Sequence, residues 1–137
     1  MKELKLTASI ANIPQVTGFV EGELEALGCP MKTQMQIDVA VDEVFTNIAS
    51  YAYGSGQGDA TVRFEADKEN GMVSITFMDT GHPFNPLKQK DPDVTAPADK
   101  RPIGGLGIFL VKKTMDQVEY KYEDGMNKLT IRKKLNA

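Results

Sequence analysis

The chain has 137 residues and a mass of 15.0 kDa, the length of one ordinary domain, and its 41% hydrophobic and 26% charged residues exclude disorder, collagen and fibre. Sixteen basic against nineteen acidic residues leave a net charge of −3, without the basic stripe of a nucleic-acid binder, and no apolar run approaches the ~20 residues of a membrane span. A single Cys29 and a single His82 exclude an internal disulfide and a four-ligand Cys/His zinc site, and they leave little for a hydrolase triad. Met1-Lys2-Glu3-Leu4-Lys5 lacks the apolar core of a signal peptide, so a cytoplasmic protein is expected, with no membrane contact and no direct nucleic-acid partner.

Residues 2–9 alternate, with Leu4, Leu6 and Ala8 on one side, and read as a strand. Asn12 is then expected to cap a helix with Pro14 in its first turn; Val16, Phe19, Val20, Leu24 and Leu27 recur at helical spacing until Gly28. A longer helix is predicted over about 31–53, ending in a Gly-rich loop. Residues 61–66 and 72–79 are two strands joined at Glu69-Asn70-Gly71. Between residues 81 and 103 periodicity collapses among charges and Pro83, Pro86, Pro92, Pro97 and Pro102; a loop this long in a small domain points to a ligand lid. A helix over 106–115 and a hairpin over 118–122 and 128–134 complete the chain.

Three places in this order can carry chemistry. On the long helix Ile37, Ala40, Val41, Val44, Phe45, Ile48, Tyr51 and Ala52 form an apolar face about 140° wide, and Glu43 and Asn47, four apart, stack at its edge. There a carboxylate can serve as a general base and an amide as a Mg²⁺ ligand, although a solvated polar face has the same spacing. Asp79-Thr80-Gly81 ends an apolar strand: the carboxylate can accept from an exocyclic amine while glycine admits a flat ring, and an ordinary Asp-x-Gly turn is the plainer alternative. Gly104-Gly105-Leu106-Gly107 opens the third helix, where free N–H groups and the helix dipole suit an anion, or where a simple hinge would use the same glycines. Thr130 faces opposite to Leu129 and Ile131 and can join a ligand network; Phe64, Tyr120 and Tyr122 read as cross-strand packing, and His82 as a loop residue.

Together these segments resemble a known pattern over the whole chain. Asp42-Glu43-Val44-Phe45-Thr46-Asn47 is similar to the asparagine box of the histidine-kinase-like ATPases (GHKL or Bergerat fold), Asp79-Thr80-Gly81-His82-Pro83-Phe84 to their first glycine box, and Gly105-Leu106-Gly107-Ile108-Phe109-Leu110-Val111 to their second. Met115-Asp116-Gln117-Val118-Glu119-Tyr120 resembles the stand-alone bacterial anti-sigma-factor serine kinases in particular. The resemblance implies an α+β two-layer sandwich, with a mixed, mostly antiparallel sheet covered on one face by helices, as a single domain over 1–137 with an ATP lid at about 81–104. It implies Glu43 as general base, Asn47 as Mg²⁺ ligand and Asp79 on the adenine amine with Gly81 against the ring. Gly105, Leu106 and Gly107 would line the phosphates, and Thr130 would lie near adenine through Asp79 or water.

The implied function is an ATP- and Mg²⁺-dependent protein serine/threonine kinase that phosphorylates a small anti-anti-sigma partner of the STAS type and sequesters a sigma factor, possible as a homodimer. Where many of these kinases carry a basic residue before the second glycine box, this chain has Ile103-Gly104, with Lys100 and Arg101 slightly upstream. A nucleotide-gated partner-binding module without phosphotransfer is therefore the alternative.

Overall fold

A computed structural model describes residues 1–54, 56–88 and 105–135, with the backbone alone for Gly105 and Leu106. The chain runs β1 (Lys2–Thr7), α1 (Ile13–Ala26), α2 (Met31–Tyr51), β2 (Asp59–Asp67), β3 (Met72–Asp79), α3 (Gly105–Thr114), β4 (Gln117–Glu123) and β5 (Met126–Lys134). Of the expected lid, residues 89–104 lie outside the described residues, together with Lys100, Arg101, Ile103 and Gly104. The described start, 81–88, ends in a short 3₁₀ turn over Pro86–Lys88.

The strands form one sheet in the order β1-β2-β3-β5-β4, antiparallel at every ladder. Strand alternation sorts its two faces. Val62, Phe77 and Leu129 lie opposite one another across β2, β3 and β5 and are buried beneath the helices, in one cluster with Val16, Val20 and Leu24 of α1 and Ile37, Val41 and Phe45 of α2. Completely burying an aromatic such as Phe45 or Phe77 contributes roughly 1.5–3 kcal/mol, so this layer supplies most of the driving force. The other face is polar: Glu3 pairs with Arg63 across β1 and β2 (2.6 Å), and Arg132 pairs with Glu119 across β5 and β4.

Local chemistry sets the element ends. Ser9, rather than Asn12, supplies the first cap: its hydroxyl accepts from the Ala11 N–H (3.3 Å) at the head of a 3₁₀ turn over Ile10–Asn12 that runs directly into α1. Asn12 instead donates to the Thr7 carbonyl (2.8 Å), tying the turn to β1. The long helix stops at Tyr51, earlier than expected, and Tyr53 is turned out of it. Its hydroxyl donates to the Asp59 carbonyl (2.5 Å) and accepts from the Thr80 N–H (2.9 Å), fastening the loop after α2 to the ends of β2 and β3. The last hairpin turns on Asp124 (φ 58°) and Gly125 (φ 75°), a two-residue primed turn that matches strand twist and fixes the register of β4 on β5.

Candidate functional site

A cleft open to solvent lies between α2, α3 and the ends of β3 and β5. Its walls are apolar, with Val44 and Ile48 from α2, Ile108 from α3, and Phe77 and Leu129 from the sheet; Asn47, Asp79 and Asn127 are among the polar groups that line it. The asparagine box and the first glycine box therefore meet in one cavity. Each arrives there for a local reason: Asn47 because it stands at the edge of the buried stripe of α2, one turn after Val44, Asp79 because it continues the inward alternation of Ile75 and Phe77 to the end of β3.

Asp79 is 5% exposed and its Oδ1 accepts from the Gly81 N–H (2.9 Å) and from Asn127 Nδ2 (2.9 Å). Its Oδ2 receives no hydrogen bond from the described residues and remains as an acceptor in the cleft. Gly81 is required by its neighbours: an added Cβ would lie 2.1 Å from the Ala52 carbonyl oxygen at the end of α2, where the His82 N–H also bonds (3.1 Å). The close approach at Gly81 is thus to helix backbone, a demand that sequence reasoning placed on a flat ring.

At the other glycine box, Gly107 stands in the first turn of α3 against Glu43. A Cβ there would come within 2.0 Å of Glu43 Oε2, so glycine leaves the space that the carboxylate fills. Glu43 is half-buried, and burial, reinforced by the neighbouring Asp42 charge, raises its carboxyl above the ordinary glutamate range. The pair unites the edge of α2 with the start of α3, and a carboxylate with raised proton affinity beside a helix N-terminus can act as a proton acceptor next to an anion site. Gly105 begins α3, and the backbone of Gly105 and Leu106 places them in the same first turn.

Thr130 is a correction. It faces the helix-free side of the sheet, where its hydroxyl pairs with that of Thr76 directly across the ladder (2.9 Å), and strand alternation keeps it from the cleft. The inward polar residue of β5 is Asn127, 7% exposed and directly opposite Asp79. Its Nδ2 donates to Asp79 Oδ1 and to the His82 carbonyl (3.0 Å), while its Oδ1 accepts from the Phe84 N–H (3.1 Å) and from the Tyr120 hydroxyl. Tyr120, expected only to pack, is part of the site's polar floor, and burial raises its phenol above the ordinary range. A polar residue in the inward row Asn127, Leu129, Ile131 was the available signal for this network.

Among the described residues no group of three or more His, Cys, Asp or Glu side chains could hold a metal. No described helix is long and apolar enough to cross a membrane.

Known proteins resemble this chain in sequence and in fold. The chain is 25% identical over 129 residues to a serine-protein kinase RsbW of Bacillus cereus and 24% identical over 129 residues to that of Bacillus mycoides, in each case over 93% of this chain and 81% of the relative. It superimposes with a TM-score of 0.68, at 15% identity, on the crystal structure of the RsbU and RsbW domains of Rv1364c from Mycobacterium tuberculosis, covering 98% of this chain and 33% of that one, a likeness of fold. The model of the histidine kinase-like ATPase domain matches residues 6–133, nearly the whole length, and the chain belongs to that family.

Proposed function

We propose that the chain is a protein serine kinase of the anti-sigma type, which uses ATP and Mg²⁺ to phosphorylate a small anti-anti-sigma (STAS-type) partner and sequesters a sigma factor or similar regulator. The observation that carries this reading is the Glu43–Gly107 contact: it sets a carboxylate of raised proton affinity at the start of α3, on the helix that borders the same cleft as Asp79. The kinase names of relatives at about a quarter identity support it.

The residues present fit the nucleotide. Asp79 Oδ2 would accept from the adenine amine, the apolar walls would hold the ring beside Gly81, and the N–H groups of Gly105, Leu106 and Gly107 would receive phosphate oxygens. Asn47 offers one oxygen to Mg²⁺, whose remaining ligands would be phosphate oxygens and water, the usual economy of this ion. Bound Mg²⁺ would neutralise phosphate charge. In the transfer the partner's seryl oxygen bonds to the γ-phosphorus, the bond from phosphorus to the bridging oxygen breaks, ADP leaves, and the seryl proton passes to Glu43. Positioning supplies most of the rate, and the base adds its share.

Glu43→Gln keeps the reach of the side chain and removes its proton affinity, so nucleotide affinity should survive while phosphotransfer to a candidate anti-anti-sigma protein falls roughly 10²–10⁴-fold. Transfer of labelled phosphate, read beside calorimetric nucleotide affinity, decides it. Wild-type transfer rates in the variant would remove Glu43 as base. Tight binding of nucleotide and partner by the wild type, with no transfer at all, would favour a nucleotide-gated binding module.

A further inference from the structure

We propose that Asn127, oriented by Tyr120, is the positioning residue that makes the cleft select a 6-aminopurine nucleotide over its 6-oxo counterpart. The inference rests on the nucleotide-binding reading above and assigns its base selectivity to a residue outside the three sequence boxes.

A primary amide has two donor hydrogens and an acceptor oxygen with two lone pairs, and Asn127 uses all of them inside the protein. Nδ2 donates to Asp79 Oδ1 (2.9 Å) and to the His82 carbonyl (3.0 Å), with the Gly81 carbonyl at 3.4 Å. Oδ1 accepts from the Phe84 N–H (3.1 Å) and the Tyr120 hydroxyl. These partners fix which end of the amide is nitrogen: two carbonyls and a carboxylate lie on one side, an N–H and a hydroxyl on the other.

Two consequences reach a ligand. First, Asp79 is held through Oδ1 by Gly81 and Asn127, so the group it presents is Oδ2, an acceptor only. Second, Asn127 Oδ1 occupies the Phe84 N–H and the Tyr120 hydroxyl, the two nearby donors to which a 6-carbonyl oxygen would otherwise turn. The floor therefore rewards an amine and opposes a carbonyl, because a buried mismatch leaves both partners unpaired. Deleting the Asn127 side chain frees those donors and loosens Asp79 at once, and deleting the Tyr120 hydroxyl removes one of the two donors that hold Oδ1, so the amide is held less tightly.

The test compares ADP with IDP, which share ribose and diphosphate and differ at C6, amine against carbonyl, and at N1, which carries a hydrogen only in IDP, by calorimetry on the full chain with Mg²⁺. The wild type should bind ADP at least about tenfold more tightly than IDP, the scale of one buried hydrogen-bond mismatch. In Asn127→Ala that ratio should fall to near one. In Tyr120→Phe, which keeps the ring and its packing, it should fall by about threefold. A structural role alone would weaken both ligands together and leave the ratio unchanged. A ratio within twofold of wild type in folded Asn127→Ala, or in Tyr120→Phe where the alanine variant does not fold, overturns the proposal. Equal binding of ADP and IDP by the wild type overturns the selectivity and spares the nucleotide reading; binding of neither overturns both.

Discussion

Two threonine-sized choices on β5 illustrate how a side chain's face decides its role. Asn127 and Thr130 sit three residues apart, an odd separation, so the pleat sends one into the cleft and the other to the helix-free face. Thr130→Val should accordingly leave nucleotide affinity within about twofold of wild type, while the loss of the Thr76–Thr130 hydroxyl pair costs about 1 kcal/mol of stability. Calorimetry and denaturant melts on one preparation separate the two effects. A large loss of affinity with unchanged stability would return Thr130 to the site.

At the scale of elements, the boxes were readable because each coincides with a local rule. Glu43 and Asn47 stand at the edge of a helical stripe, Asp79 ends a strand, and Gly107 opens a helix; spacing alone orders them. The floor of the cleft was not readable in the same way. Which residue of β5 opposes Asp79 depends on the register of β3 on β5, a ladder between strands distant in sequence that no short turn joins. The reason for Gly81 was likewise tertiary, since nothing near it in sequence announces that the end of α2 will press against it.

The packing of α1 on α2 was also invisible to periodicity, and it carries its own prediction. Asp38 of α2 meets Glu21 of α1 carboxyl to carboxyl, and its Oδ1 is buried without a hydrogen bond. Burial, followed by the bond and the charge of Glu21, pushes Asp38 up to about 7. Because the folded carboxyl holds its proton more tightly than the unfolded one, its stabilising effect is complete below the ordinary aspartate range and is lost as pH rises toward about 7. Both groups are partly solvated, so the loss is on the order of 1 kcal/mol. Asp38→Asn keeps a donor for Glu21 without a titrating proton; its denaturant midpoint should vary less between pH 5 and pH 8 and exceed wild type at pH 8. An unchanged pH slope in the variant would show that the pair does not govern stability there.

For the whole molecule, the cleft is built from parts that are separate in the chain: α2, the end of β3, the start of α3, and β5. A ligand seated there contacts only the folded state, so binding must raise global stability by mass action. At a nucleotide concentration about one hundred times its dissociation constant the gain is ~2.7 kcal/mol, which for a chain of this length moves the melting temperature by roughly 10 °C. ADP with Mg²⁺ should produce that shift, and Asp79→Ala should reduce it to a small fraction, because the variant loses the acceptor that orders the base while Asn127 loses the partner of one of its two donors. The variant's own ligand-free melting temperature must be measured as the reference, since removing a buried carboxylate also changes the apo protein. An ADP shift of full size in Asp79→Ala, measured against that reference, would place nucleotide recognition elsewhere in the fold; a full shift in wild type that vanishes in the variant would tie ligand binding and the closure of these four elements to the same carboxylate.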